Sequence, residues 1–147
     1  MSIRNSAKAL IMKEGAVLLT KNRDEEGFFY LFPGGGQEKG ETLEQAVVRE
    51  CQEEIGSSVR VGPLKHVREY IGKNHEHAFD SGFQQVEFYF ECHLLGEEGY
   101  EPTNPDSHQV GIEWVRLDEW DGLRIYPKAL GEYIKGHRPG VYVGDIN

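Results

Sequence analysis

Three glutamates in one short segment are the side chains of this sequence best suited to metal chemistry. Residues 35–57 read GGQEKGETLEQAVVRECQEEIGS, and Glu50, Glu53 and Glu54 lie close together near the end of this segment. Carboxylates this near to one another repel unless a cation lies between them. Such oxygen ligands are the ones that Mg²⁺ or Mn²⁺ prefers. The segment therefore predicts a divalent metal site.

The element that must position these acids is a helix, predicted over Thr42–Ile55. Thr42 and Gln45 fit the capping-box pattern, in which each side chain bonds the backbone N–H of the other residue. Gly56 stands where a glycine commonly ends a helix. A glycine-rich loop over residues 33–41 precedes the helix.

A helical wheel places two of the acids on the side of this helix that should be buried. Glu50 and Glu54 fall on or beside the apolar stripe, and burying an unpaired carboxylate is costly. Glu53 lies at the edge of the stripe, where plain solvation explains it as well as metal binding does. Arg49 faces away from Glu50 and is left with Glu53 at i,i+4 as its partner. The stripe consists of Leu43, Val47, Cys51 and Ile55, with Ala46 on its border.

Length and charge limit the class of protein. The chain has 147 residues, which suits one domain with one core. Its formal net charge is -9, which disfavours a nucleic-acid partner by bulk electrostatics. A metal ion in an acidic site presents positive charge locally, so a small phosphate-bearing substrate stays compatible with an acidic chain.

The cysteines and the apolar runs bear on the cellular compartment. Cys51 and Cys92 are far apart and have no paired spacing, so neither a disulfide framework nor a zinc site is predicted. No stretch approaches the ~18 apolar residues that span a bilayer, and the N-terminal apolar run is too short for a signal peptide. We therefore expect a soluble cytoplasmic protein without a membrane partner.

The elements around the helix are predicted mainly as strands. Residues 85–94 alternate polar and apolar side chains, so one face should pack on the core and the other should meet solvent or a cleft. Hairpin-like neighbours indicate a mixed or antiparallel sheet with helices packed on it. The remaining predictions are a hairpin formed by Ala7–Lys13 and Ala16–Lys21 with its turn at Glu14-Gly15, strands at Phe28–Phe32, Val59–Ile71 (with a break near Pro63) and Ile112–Arg116, loops at 72–84 and 96–109, and a helix at Pro127–Lys135.

The acidic segment resembles the Nudix box, in which glycine, five residues and glutamate are followed by seven residues and Arg-Glu-apolar-x-Glu-Glu-x-Gly-apolar. Cys51 is a modest apolar residue where a larger one is usual, and Ser57 is polar where the last residue is normally apolar. Neither position carries an acid, so these departures concern packing rather than chemistry. The matching residues are Gly35, Glu41, Arg49, Glu50, Cys51, Glu53, Glu54 and Gly56.

The resemblance implies an α/β fold of the Nudix type, an α/β/α sandwich in which a mixed sheet has helices packed on both sides. Residues 1–147 would form a single domain, with its core at about 5–136 and a C-terminal tail at 137–147. The implied activity is Mg²⁺-dependent hydrolysis, with Mn²⁺ as an alternative to Mg²⁺. The bond cleaved would be the diphosphate linkage of a nucleoside diphosphate derivative, such as a nucleoside triphosphate, a nucleotide sugar or an ADP-ribose-like compound.

The resemblance also implies a role for each residue of the segment. Glu50 and Glu54 would be the principal metal ligands, and the carbonyl of Gly35 a further one. Glu53 would be another ligand or the base that deprotonates the attacking water. Glu41 would bind metal through water or brace the loop, and Arg49 would orient the acids by salt bridges.

Other candidates lie outside the segment. The base could instead be a loop glutamate, since Glu97, Glu98 and Glu101 follow the alternating strand, although each is more simply a solvated loop acid. Arg23 is a candidate substrate-binding residue ahead of an aromatic strand. His75-x-His77 suggests a metal pair only weakly, because no third ligand accompanies it, and a polar loop is the better interpretation.

Three questions stay open at the level of sequence. The substrate markers expected for ADP-ribose or diadenosine polyphosphates are absent, so the nucleotide is not specified. A nucleotide-sensing Nudix module without catalysis is the alternative function, and the presence of Glu50, Glu53 and Glu54 together favours the enzyme. Residues 141–143 are strand-like and could pair with a second subunit in a homodimer or cover the edge of the chain's own sheet.

Overall fold

Two mixed sheets and two α-helices build the fold, as seen in a computed structural model that describes residues 2–75, 82–96 and 105–147. The first sheet has the strand order β10-β6-β7-β1-β5; the second has the order β2-β3-β4-β9, with β8 also paired to β3. Within these ranges, no helix is long and apolar enough to cross a membrane. The elements are β1 (Arg4–Leu10), β2 (Met12–Lys13), β3 (Ala16–Asp24), β4 (Gly27–Leu31), β5 (Gly34–Gly36), α1 (Leu43–Ile55), β6 (Val59–Ile71), β7 (Gln84–Leu94), β8 (Gln109–Arg116), β9 (Ile125–Tyr126), α2 (Leu130–Ile134) and β10 (Tyr142–Asp145), with 3₁₀ turns at Gly72–Asn74 and Leu117–Gly122.

The predicted α/β class with a mixed sheet is confirmed, but the strands divide between two sheets rather than one. In the first sheet β1 runs parallel to β7, whereas β7 and β6 are antiparallel. Helix α1 packs on one hydrophobic cluster together with β1, β6 and β7. The second cluster contains Trp120 from the 3₁₀ turn and Leu130 from α2. Helices therefore cover two separate cores.

The predicted first hairpin is confirmed at its turn and corrected at its first strand. Glu14 and Gly15 form the turn with φ values of 50° and 78°, and β2 pairs antiparallel with β3 across it. The predicted strand Ala7–Lys13 is broken at Ile11, because β1 pairs in the first sheet and β2 in the second. Ile11 is buried between them, and its carbonyl accepts a hydrogen bond from Leu18 N–H at 2.9 Å.

The helix that carries the acids forms as predicted. The Thr42 hydroxyl accepts from Gln45 N–H at 3.1 Å, and the Gln45 side chain accepts from Thr42 N–H at 2.8 Å. Gly56 ends the helix in the left-handed conformation. The capping box and the glycine thus fix both ends of α1. Its buried residues are Ala46, Val47, Cys51, Glu54 and Ile55.

The two long strands of the first sheet differ from the predictions in one respect each. Strand β6 continues through Pro63, which lies at a register irregularity where a missing backbone N–H is tolerated. On β7 the polar face is the more deeply buried one in its first half: Gln85, Glu87 and Tyr89 are buried, whereas Val86 is partly exposed. The sequence predicted that this polar face meets either solvent or a cleft, and in the structure it lines a cleft.

The C-terminal part departs most from the sequence prediction. Helix α2 begins at Leu130, three residues later than the predicted Pro127, and ends at Ile134. A Cβ on Gly131 would lie 2.3 Å from the Trp120 indole nitrogen, so this glycine lets the helix approach the ring. The tail is not a separate appendage, because β10 pairs with β6 and Val143 is buried. Residues 141–143 were predicted either to pair with a second subunit or to cover the edge of the chain's own sheet. In the structure they cover that edge.

Candidate metal and substrate site

Arg49 is the centre of the charged cluster on α1. Its Nη1 donates to Glu50 Oε1 at 3.0 Å and to Glu53 Oε2 at 3.3 Å. Its Nη2 donates to Glu41 Oε1 at 2.8 Å and to the Gly36 carbonyl at 3.0 Å. The prediction that Arg49 faces away from Glu50 is wrong, because the long side chain turns back over the helix toward the glycine loop. A wheel places Cα atoms and does not capture this.

Glu41 joins the loop to the helix. Its carboxylate accepts from Arg49 on one side and from Glu38 N–H at 2.8 Å on the other. The hydrogen bonds from Arg49 and Glu38 lower the pKa of Glu41. Of the two roles predicted for Glu41, this geometry fits the one that braces the loop.

Glu54 is a buried carboxylate with one protein hydrogen bond. Only 6% of the residue is exposed, and Oε2 accepts from Gly34 N–H at 2.8 Å. Burial, together with the negative charges of Asp106 and Glu50, raises the pKa of Glu54 to about 7, against the charge of Lys8 and the hydrogen bond from Gly34. The protein alone therefore supplies too little positive charge to hold this group ionised below neutral pH.

Glu50 lies against the glycine loop, with a side chain that is 15% exposed. Burial raises its pKa, and the Arg49 guanidinium opposes that rise. A Cβ built on Gly35 would lie 2.7 Å from Glu50 Oε1, a distance at which something must shift. Glycine at position 35 therefore lets the loop backbone approach the carboxylate closely.

These residues fit a divalent cation that keeps much of its water. Among residues 2–75, 82–96 and 105–147, no group of three or more His, Cys, Asp or Glu side chains is placed to hold a metal ion. The candidate donors nearest the glycine loop are the carboxylates of Glu50 and Glu54 and the Gly35 carbonyl. Mg²⁺ commonly takes one or two carboxylates and fills its other positions with water and phosphate oxygens. The donor set and the close loop match that demand.

A cleft of about 690 Å³ opens between the two sheets. Phe29 and Tyr126 line it from the second sheet, and Tyr70 lines it from the first. Phe29 and Tyr126 meet edge to face with their ring centroids 6.1 Å apart. Aromatic walls at this spacing offer surfaces on which a flat heterocycle can stack.

The floor of the cleft holds an ionised carboxylate. Glu87 accepts from Arg68 Nη1 at 2.6 Å, from Tyr89 Oη at 2.7 Å and from Gln85 Nε2 at 2.7 Å. Burial opposes ionisation, but the charges of Lys8 and Arg68 and these hydrogen bonds bring the pKa of Glu87 below its ordinary value. The Glu87 charge is thus satisfied from within the protein.

Comparison with known proteins identifies the family of this chain. The NUDIX domain profile matches residues 3–134. The chain belongs to the Nudix family. A Caenorhabditis elegans protein named as a nudix hydrolase is 34% identical over 67% of this chain and 23% of its own length. The nucleoside triphosphatase NudI of Enterobacter sp. (strain 638) is 39% identical over 38% of this chain and 42% of its own length.

A solved structure extends the similarity to the fold. The MutT NUDIX hydrolase from Burkholderia pseudomallei is 30% identical with a TM-score of 0.61, and the match covers 80% of this chain and 86% of that one. The chain spans less than half the length of the two curated relatives it matches. The assignment to the Nudix family therefore rests on the match to the domain. It does not by itself establish the activity of the whole protein.

Most residues predicted from the Nudix box lie together, but Arg23 does not join them. Its side chain is exposed, with the guanidinium 5.9 Å from the Phe28 ring. The next residue, Asp24, lines the cleft, and alternation along β3 turns Arg23 to the other face. Asp24 is instead paired with Arg124 by bonds of 2.8 and 2.6 Å.

The loop candidates fall in two groups. Glu97, Glu98, Glu101 and His77 lie outside the described residues. His75 is described, and its Nε2 contacts Asp145 Oδ1 at 2.6 Å while its ring stacks on Tyr70. This environment agrees with a polar loop.

Sequence reasoning assigned no individual role to several polar residues that line the cleft, among them Lys8, Arg68, Gln85, Glu87 and Arg124. Lys8, Arg68 and Gln85 lie on β1, β6 and β7, and Arg124 lies just before β9, so no local spacing joins these residues. One signal was available: β7 carries Gln85, Glu87 and Tyr89 on one face, and a strand in the middle of a sheet rarely exposes both faces to water.

Proposed function

We propose that this Nudix chain is a divalent-metal-dependent hydrolase that cleaves the diphosphate linkage of a nucleoside diphosphate derivative. Nucleoside triphosphates, nucleotide sugars and ADP-ribose-like compounds share that linkage. The observation that carries the proposal is the pair Glu50 and Glu54, two largely buried carboxylates at the glycine loop. Arg49 pairs with Glu50 at 3.0 Å, whereas Glu54 accepts from the backbone N–H of Gly34 and has a pKa raised to about 7. Mg²⁺ is the proposed cofactor, and Mn²⁺ should replace it.

The residues of α1 and of the loop before it would have different roles in the reaction. Glu50, Glu54 and the Gly35 carbonyl would hold the cation, which neutralises the phosphates and makes a bound water more acidic. Glu53 would accept a proton from the attacking water, and its hydrogen bond from Arg49 at 3.3 Å fixes where that carboxylate lies. A glutamate at 97, 98 or 101 is the alternative base. Arg49 and Glu41 would hold the glycine loop and the acids of α1 in fixed positions relative to one another.

The cleft supports a nucleoside as the group attached to the diphosphate. Phe29 and Tyr126 supply stacking surface, and Gln85 supplies a polar side chain at the floor. A relative of this chain carries the name nucleoside triphosphatase, which agrees with such a substrate class. The substrate would therefore span from the aromatic cleft to the acids of α1.

The thiols agree with the proposed cytoplasmic location. Cys51 and Cys92 are both free and buried. Burial raises the pKa of Cys51, so this thiol is poorly ionised and unreactive. A chain with two free thiols suits a reducing compartment.

A nucleotide panel with product analysis tests the proposal. Purified protein with Mg²⁺ should release phosphate, diphosphate or a nucleoside monophosphate from at least one nucleoside triphosphate, nucleotide sugar or dinucleotide, and chelation of the metal should stop release. Glu54→Gln should abolish turnover while its circular dichroism spectrum stays that of the folded protein. Melting shifts without turnover across the panel would instead identify a nucleotide-sensing module.

A further inference from the structure

Three basic side chains line the cleft, and two of them are already neutralised. Arg124 makes a two-bond pair with Asp24. Arg68 donates to Glu87 at 2.6 Å in a pair whose side chains are 6% and 5% exposed. Either guanidinium would have to break its ion pair with a carboxylate in order to bind a phosphate.

Lys8 is the third basic side chain, and its ammonium has no acidic partner in the described part of the chain. Nζ donates to the carbonyls of Phe32 and Gly34 at 3.3 and 3.4 Å, which are long hydrogen bonds to neutral acceptors. Its positive charge nonetheless influences Glu50, Glu54 and Glu87, so it stands within electrostatic reach of both the acids and the cleft floor.

The position of Lys8 links the two halves of the site through one residue. Gly34 N–H donates to Glu54 Oε2 at 2.8 Å, and the Gly34 carbonyl accepts from Lys8 Nζ. Lys8 also lines the cleft. The ammonium group thus borders the cleft and is joined to Glu54 through a single residue, Gly34.

We propose that Lys8 binds the phosphate on the cleft side of the scissile linkage. The inference rests on the proposed function and names the residue that positions its substrate. When water forms a bond to the attacked phosphorus, the bond from that phosphorus to the bridging oxygen breaks. The bridging oxygen keeps the electron pair and leaves on the departing phosphate. The proton of the attacking water goes to the base, Glu53 or a loop glutamate. Lys8 takes no part in the proton transfer and fixes the diphosphate between the cleft and the carboxylates.

Variants at position 8 can separate charge from packing. A Cβ on Gly34 would lie 2.9 Å from Lys8 Cδ, so the aliphatic stem also fills space. Lys8→Met keeps the stem and removes the charge, whereas Lys8→Arg keeps the charge. Lys8→Gln is a second neutral variant whose amide can still donate to a carbonyl. Lys21→Met is the matched control, since Lys21 pairs with Glu113 at 3.7 Å and lies over the Phe28 ring.

The probe is imidodiphosphate, a diphosphate analogue with a P–N–P bridge that resists hydrolysis, titrated calorimetrically into each protein with Mg²⁺. Lys8→Met and Lys8→Gln should bind it about tenfold or more weakly, as expected for loss of one charge-assisted hydrogen bond. Lys8→Arg should stay within about threefold of the unmodified chain, and Lys21→Met should match it. Melting temperatures confirm that each variant is folded.

The outcomes separate the two proposals. Equal affinity in the unmodified chain and both neutral variants would overturn the role of Lys8, as would an unmodified chain that binds no imidodiphosphate. A Lys8-dependent affinity with no turnover across the nucleotide panel would support the phosphate site and contradict the hydrolase. With a cleaved nucleotide, the neutral variants should raise KM by a similar factor.

Discussion

Arg49 holds Glu41 through two hydrogen bonds, from Nη2 to Oε1 at 2.8 Å and from Nε to Oε2 at 3.2 Å. This fork-to-carboxylate contact needs the planar guanidinium, which presents parallel donors. The same guanidinium reaches Glu50 and Glu53, so one side chain positions three acids. The pairing ties the loop before α1 to the middle of the helix.

Arg49→Lys should therefore lower activity although it preserves the charge. A lysine ammonium can contact one or two of these acids but cannot reproduce the fork, so Glu50 and Glu53 lose their fixed positions. We expect kcat/KM for a cleaved nucleotide to fall about tenfold or more, with a melting temperature close to that of the unmodified chain. Arg116→Lys, at an exposed pair with Asp118, is the control, and equal kcat/KM in Arg49→Lys would contradict the role.

Gly35→Ala tests the close approach of the loop to Glu50, a ligand of the proposed metal site. The added methyl would lie 2.7 Å from Glu50 Oε1, so either the carboxylate or the loop must move. We expect Mg²⁺-dependent turnover to fall about a hundredfold, since displacement of catalytic groups by about 1 Å has such effects. In Gly122→Ala the new methyl meets nothing within 4 Å, and this control should keep full turnover. Turnover in Gly35→Ala like that of the control would show that the close approach is dispensable.

Glu87 should make the stability of the fold depend on acid pH. Its folded pKa is lowered, below an unfolded value of about 4.3. Its contribution is thus fully present above the unfolded value and is lost as pH falls through the folded one. Glu87→Gln should lower the free energy of unfolding at pH 7 by about 3 kcal/mol, as expected when a buried ion pair loses one partner.

Urea unfolding between pH 3 and pH 7 checks the prediction for Glu87. The unmodified chain should lose stability toward pH 3 more steeply than Glu87→Gln, because the variant has no proton to take up at this position. Glu91→Gln, on the same strand but partly exposed, serves as the control. Parallel pH curves for the unmodified chain and Glu87→Gln would remove Glu87 from the acid response.

Local pattern was enough to predict α1 and its caps. Thr42, Gln45 and Gly56 act within a few residues of one another, so their spacing determines their contacts. Helical periodicity likewise predicts that Glu50 and Glu54 lie on or beside the buried side of the helix. Periodicity places backbones and not long side chains, which is why the turn of Arg49 toward Glu50 was missed.

Features that depend on distant pairing could not be predicted in this way. The break at Ile11 exists because β1 and β2 pair in different sheets, and the apolar run over residues 7–13 contains no sign of it. The cleft brings Lys8, Arg68 and Glu87 together from three strands. Their proximity depends on sheet order, which the separate strand patterns do not encode.

Binding of Mn²⁺ followed by electron paramagnetic resonance tests the central claim, that Glu50 and Glu54 hold a divalent cation. The unmodified chain should bind Mn²⁺, and Glu54→Gln should bind it at least about tenfold more weakly, since a ligand charge is removed. A glutamine oxygen can still accept from Gly34 N–H, so the fold should persist. Glu44→Gln, exposed in the first turn of α1, should bind as the unmodified chain does. Equal Mn²⁺ affinity in the unmodified chain and Glu54→Gln would contradict the account.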